Sequence, residues 1–151
     1  MINSKKIIDD FMKLKSIAVV GVSRNKDKFG NLVYRELKKS GYKVFAINPQ
    51  ADMVEGDRCY AGLGALPEKP GGVIVILPPD RTMAVIEETA RLGIQYIWLQ
   101  MGADSPEGEK HAQELGLALV SGECVFMHIQ PVESIHQLHR FFRRLFGRMP
   151  K

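Results

Sequence analysis

Short, wholly apolar runs alternate with segments whose apolar residues recur at helical spacing. Ile7, Ile8, Phe11 and Leu14 lie on one helical face, with Asn3 or Ser4 in place to cap it. This predicts a leading helix within residues 1–15. A first strand follows at Ile17–Val22, and a helix then starts near Phe29 and Gly30. Leu32, Val33 and Leu37 form that helix's buried face, and Gly41 is its stop. Val44–Ile47 reads as a second strand ended by Asn48-Pro49, and Arg58–Leu66 as an irregular segment broken by Gly62 and Gly64. Val73–Leu77 is a third strand closed by Pro78-Pro79, with a helix behind it that Gly93 ends. Tyr96–Leu99 is the fourth strand. Ser105-Pro106-Glu107 supplies an N-cap, an N1 proline and an acidic first turn for the next helix, which ends at Gly116. Leu117–Val120 is the fifth strand, and Ile135, Leu138, Phe141, Phe142 and Leu145 predict a C-terminal helix over 131–147.

Strands that are apolar throughout, separated by amphipathic helices, are the pattern of a parallel sheet covered on both faces. The expected fold is therefore α/β: a Rossmann-like, doubly wound parallel sheet of about five strands with flanking helices, one domain over 1–151. In such a sheet the ligand binds at the carboxyl ends of the strands, where the strand order reverses. Those ends are Gly21–Lys28, Asn48–Ala51, Leu77–Asp80 and Gln100–Asp104. The first of them is rich in donors and positive charge: Ser23, Arg24, Asn25, Lys26 and Lys28 stand just before a helix N-terminus, a setting that attracts anions. A phosphate-bearing small molecule is the expected ligand.

The chain has 151 residues, 45% of them hydrophobic and 25% charged, which is ordinary for a soluble globular domain. The formal net charge is +4, and much of the excess lies in Arg140, Arg143, Arg144, Arg148 and Lys151. With Phe141, Phe142 and Leu145 between them, these read as the wet face of a docked helix rather than a nucleic-acid or membrane patch. No apolar run approaches the ~20 residues that span a bilayer, and the N-terminus lacks an apolar signal core. Cys59 and Cys124 form no CxxC pair. The expected location is the cytoplasm.

The glycine loop departs from the dinucleotide pattern. Ser23 holds the slot of the second glycine in Gly-x-Gly-x-x-Gly, and Asn48-Pro49 stands where a ribose-binding carboxylate would end the second strand. Both departures count against ordinary NAD binding. The loop is also more basic than a diphosphate requires, so a ligand with a third phosphate accounts for it better.

The residues that carry a family resemblance stand in order along the chain. They are Gly21-Val22-Ser23-Arg24-Asn25, Gly41-Tyr42-Lys43-Val44, Ile47-Asn48-Pro49, Cys59-Tyr60, Pro78-Pro79 and Trp98-Leu99-Gln100-Met101-Gly102. In this the chain resembles small single-domain CoA-binding proteins and is similar to the N-terminal CoA-binding domain of the succinyl-CoA synthetase α subunit. The resemblance implies that coenzyme A is the cofactor. It implies Val22, Ser23, Arg24 and Asn25 at the phosphates, Asn48, Pro49, Pro78 and Pro79 around the nucleotide, and Leu99, Gln100, Met101 and Gly102 along the pantetheine arm; Gly21 and Lys28 join the candidate cofactor-binding residues from the form and charge of the loop itself. Leu77 and Glu123 stand where many members have arginine, so phosphate contacts of those arginines have no counterpart here.

Autonomous catalysis has no named residues behind it. No Ser-His-Asp set, paired carboxylates or HExxH motif is visible, and His111, His136 and His139 are scattered without a completing ligand for a metal. Cys124, beside Glu123 and the apolar Val125-Phe126-Met127, reads as a packed thiol, and Trp98 as core. The expected function is binding of CoA or acyl-CoA. The alternatives are a ligase-like or acyl-CoA-handling enzyme component that needs a partner chain, and a regulator that senses NAD or another nucleotide.

Overall fold

Both faces of the sheet are buried, and this is why its strands carry no polar alternation. The computed structural model describes residues 3–129. Its elements are, in order, α1 (Lys5–Met12), β1 (Ser16–Val20), α2 (Phe29–Lys39), β2 (Lys43–Ile47), β3 (Met53–Val54), β4 (Asp57–Tyr60), β5 (Gly72–Val75), α3 (Pro79–Arg91), β6 (Tyr96–Gln100), α4 (Pro106–Glu114) and β7 (Ala118–Glu123). Successive strand residues serve opposite layers. Ile17, Val19, Ile74, Trp98 and Val120 pack with α1 and α2, while Ala18, Val20, Val73, Val75, Ile97, Leu99 and Leu119 pack with α3 and α4.

The sheet has seven strands in the order β3-β4-β2-β1-β5-β6-β7. All pairings are parallel except the β3–β4 hairpin. The chain winds outward from β1 in one direction and then from β5 in the other, so the crevice of a doubly wound sheet opens between these two central strands.

The expected caps hold. The Ser4 hydroxyl accepts from the Ile7 N–H at 3.1 Å, the Ser105 hydroxyl from the Gly108 N–H at 3.0 Å, and Pro79 and Pro106 sit in the first turns of α3 and α4. The differences have local causes. β1 stops at Val20 because Gly21 turns away with φ +119°. β4 overlaps the start of the segment expected to be irregular, and with β3 it makes the two strands beyond the expected five. Its Asp57-Arg58 start masks it, and the hairpin turns on Glu55-Gly56, both at positive φ, rather than on Asn-Gly or Asp-Gly. β7 runs on past the expected strand end at Val120 through Ser121-Gly122: Leu99 pairs with Ser121 and Gln100 with Glu123, leaving Gly122 as the extra residue of a bulge. The C-terminal helix expected at 131–147, with His136, His139 and the arginine cluster, lies outside the described residues.

The leading helix is part of the core. Phe11 is fully buried and meets Trp98 edge-on, ring centroids 5.2 Å apart. The Trp98 indole N–H donates to the Glu123 carbonyl at 3.0 Å, so Trp98 is core, as its setting predicted. α1 can lie this close because β5 begins with glycine: a Cβ on Gly72 would sit 2.7 Å from Leu14 and 2.9 Å from Phe11. Phe11→Ala should therefore lower the unfolding free energy by about 3–5 kcal/mol in urea titration. A loss under about 1 kcal/mol would mean that α1 is only loosely attached.

Candidate functional site

A cleft of ≈ 630 Å³ occupies the crevice at the carboxyl ends of β1, β2 and β5. Val20, Gly21, Val22 and Ser23 line it from β1; Ile47, Asn48, Pro49 and Gln50 from β2; Ala61 and Gly62 from the end of β4. Ile76 and Leu77 close it after β5, and Asp80, Arg81, Val85 and Glu88 line it from α3.

The geometry begins with two glycines. A Cβ on Gly21 would lie 2.1 Å from the Ile76 carbonyl oxygen, and one on Gly30 would lie 2.3 Å from the Gly21 oxygen. Only glycine lets the first turn of α2 press against the end of β1, the same service that the last glycine of a dinucleotide loop performs. The N-cap of α2, Lys28, makes no side-chain hydrogen bond to the helix.

Between these glycines the loop is tied down by side chains. The Asn31 amide grips Ser23 twice: its Oδ1 accepts from the Ser23 N–H at 2.8 Å, and its Nδ2 donates to the Ser23 carbonyl at 2.7 Å. The Ser23 hydroxyl oxygen accepts from the Asn25 N–H, and the Asn25 side chain from the Asp27 N–H, both at 3.0 Å. The Asn48 amide donates to the Val22 carbonyl at 2.9 Å and accepts from the Gln50 N–H at 2.8 Å. The amides of Ser23, Asn25 and Asp27 are thus spent inside the loop. An anion there would be met by the Ser23 hydroxyl hydrogen and by the exposed side chains of Arg24, Asn25, Lys26 and Lys28.

Of the residues expected at the site, Gly21, Val22, Ser23, Asn48 and Pro49 come together in the cleft. Arg24, Asn25 and Lys28 are exposed on the adjoining loop. Pro78 and Pro79 open α3 between the lining residues Leu77 and Asp80 but do not themselves line the cleft. The stretch at the end of β6 and just after it does not line the cleft. Leu99 is fully buried in the layer under α3 and α4, and the Gln100 side chain accepts from the Val125 N–H at 3.0 Å. Met101 is exposed, and the Gly102 N–H donates to the Asp104 carboxylate at 3.0 Å. Sequence reasoning did not assign Asn31, Glu88 or Arg81 to this region. The one available signal was Asn31, a polar residue beside the apolar stripe of α2.

Other reactive side chains are engaged within the protein. Glu88 accepts from the Leu63 N–H at 3.1 Å at the far end of the cleft. Behind the loop, burial and the Asp57 carboxylate, which accepts from the Tyr34 hydroxyl at 2.7 Å, push the Tyr34 phenol up. Lys38 and Tyr34 hold Asp57 below the usual carboxylate range. Burial pushes the Cys59 thiol up. Among the described residues, no group of three His, Cys, Asp or Glu side chains is placed to hold a metal ion. Cys124 is buried in the cluster that holds Val125 and Phe126. It should react slowly with iodoacetamide at neutral pH in the native protein and quickly once unfolded. Rapid native labelling that a nucleotide blocks would put a reactive thiol at the site.

A family model described as a CoA binding domain matches residues 15–130. An ADP-forming acetate–CoA ligase of Archaeoglobus fulgidus is 32% identical over 106 residues, covering 69% of this chain and 16% of the ligase. An uncharacterized Bacillus subtilis protein, YneT, is 24% identical over 120 residues, covering 80% of this chain and 89% of its own. The solved structure of a hypothetical protein from Pyrococcus horikoshii matches with a TM-score of 0.75 at 28% identity, over 95% of this chain and 93% of that one. The chain spans between 16% and 28% of the length of the first three ligase relatives.

Proposed function

The chain belongs to the family of CoA-binding domains, and on that premise we propose that it binds coenzyme A or an acyl-CoA in the cleft over β1, β2 and β5, without catalysis of its own. The observation that carries this reading is the Gly21–Gly30 loop beside that cleft. The N–H groups of Ser23, Asn25 and Asp27 are already taken up within it, and its basic side chains remain exposed. On this reading the nucleotide lies against Asn48 and Pro49, and Ser23, Arg24 and Lys28 meet the phosphates. Arg24, Lys26 and Lys28 suit a ligand with a 3′-phosphate as well as a diphosphate.

Ordinary NAD binding fits less well. Both ends of the Asn48 amide are committed to the backbone, so the end of β2 carries a structural amide where a ribose-gripping carboxylate would stand. A second reading draws on the ligase relatives, of which this chain matches only a part: a CoA-holding component whose reaction is completed by a partner chain. Formation or cleavage of a thioester by the pure protein would count against a role limited to binding. No helix among the described residues is long and apolar enough to cross a membrane, and we place the protein's work in the cytoplasm on the same CoA reading.

Isothermal calorimetry tests the ligand directly. CoA should bind more tightly than dephospho-CoA and more tightly than NAD, and its affinity should fall as salt rises, since surface charges are screened over ~8–10 Å at physiological ionic strength. Equal affinity for the three ligands would remove the third-phosphate argument.

Single variants test the residues. Ser23→Ala should cost about 1.5–3 kcal/mol of binding, the worth of a hydrogen bond to a charged group. Arg24→Ala and Lys28→Ala should weaken binding and flatten its salt dependence while leaving the melting temperature nearly unchanged, because both side chains are exposed. If all three variants bind CoA like the parent, the site lies elsewhere.

A further inference from the structure

The β3–β4 hairpin reaches the anion loop through one carboxylate. Glu55 stands at the tip of the hairpin with φ +51°, a left-handed conformation that Asn, Asp and Gly adopt far more readily than Glu. Its Oε2 accepts from the Asn31 Nδ2 at 2.8 Å and from the Arg35 guanidinium at 2.9 Å. The same Arg35 donates to the Lys26 carbonyl at 3.0 Å. Asn31 is 1% exposed, and its amide is the group that holds Ser23 at both N–H and C=O. An unbroken chain therefore runs from Glu55 through Asn31 to Ser23, with a second arm through Arg35 to Lys26.

We infer that Glu55 is a positioning residue for the anion loop. It does not itself line the cleft, yet it orients the amide that presents Ser23 and the loop backbone that carries Arg24 to Lys28. The hairpin turn by itself would be better served by a shorter side chain. The carboxylate's reach to Asn31 and Arg35 is what a glutamate offers here and an asparagine, one methylene shorter, does not. This inference rests on the reading of the loop as the phosphate end of the CoA site.

Glu55→Asn separates positioning from stability. It suits the left-handed turn, so the melting temperature should hold or rise, while the clamp on Asn31 is lost. CoA affinity should fall about tenfold, on the order of one hydrogen bond. Glu55→Gln keeps an acceptor for the Asn31 amide at the same reach and should retain most of the affinity. Amide hydrogen exchange of Ser23 in the ligand-free protein gives an independent measure: it should be protected in the parent and in Glu55→Gln, and exchange at least about tenfold faster in Glu55→Asn, as expected when its closing contact is loosened. Glu55→Asn with parental Ser23 protection would overturn the inference, as would parental CoA affinity in that variant. If the parent itself does not bind CoA, the functional reading falls, and the Ser23 exchange rates still decide whether Glu55 holds the loop.

Discussion

The contact on which the rest of the site depends is between two backbones, not two side chains. Gly21 passes under the Ile76 carbonyl, and Gly30 rests on the Gly21 carbonyl, with no room for a Cβ at either place. That double approach draws the first turn of α2 over the end of β1 and brings β5 alongside. It converts the reversal of strand order into a cleft rather than a packed seam. Any side chain at either position would push the helix off the strand and carry the loop away from Asn48 and Pro49 with it.

With Ser23 in place of a second glycine, the loop needs other means to satisfy its polar backbone. Dinucleotide folds keep that glycine so that the pyrophosphate can approach the main chain. Here Asn31, Ser23, Asn25 and Asn48 take up loop amides and carbonyls before any ligand arrives. The consequence is a loop set in shape by its own hydrogen bonds, and on the proposed reading recognition moves outward to hydroxyl, guanidinium and ammonium groups. Contacts of that kind are charge-assisted and salt-dependent. They reward the number of phosphates more than the shape of a single pyrophosphate.

The layers, the central strands and the helix caps were legible because each is written locally: apolar runs for strands buried on both faces, Ser4, Pro79, Ser105 and Pro106 for helix starts. The cleft's first wall was legible too, since Gly21, Ser23 and Asn48 sit where chain order alone puts strand ends. The rest depends on partners distant in sequence. β4 is a strand because β2 lies beside it, pairing Ala46 with Cys59 and Ile47 with Tyr60, and not because Asp57-Arg58-Cys59-Tyr60 has a strand's pattern. Gly72 and Gly122 look like ordinary loop glycines until α1 and the β6–β7 bulge are in place. Asn31 reads as one more polar residue on a helix until Ser23 is folded back against it.

The stretch from Leu99 to Gly102 bears on how the bound cofactor would be used. The family resemblance sets these residues along the pantetheine arm, yet Leu99 belongs to the core and Gln100 is occupied with the backbone of Val125. Only Met101 and Gly102, at the surface beyond β5, remain for such a contact. A pantetheine arm running that way would reach the thiol end at an open face and not in an enclosed chamber. The Cys124 thiol is folded inward. On the proposed reading the CoA sulfur would then lie where solvent reaches it, a placement that favours presenting CoA to a second surface over reacting it in place.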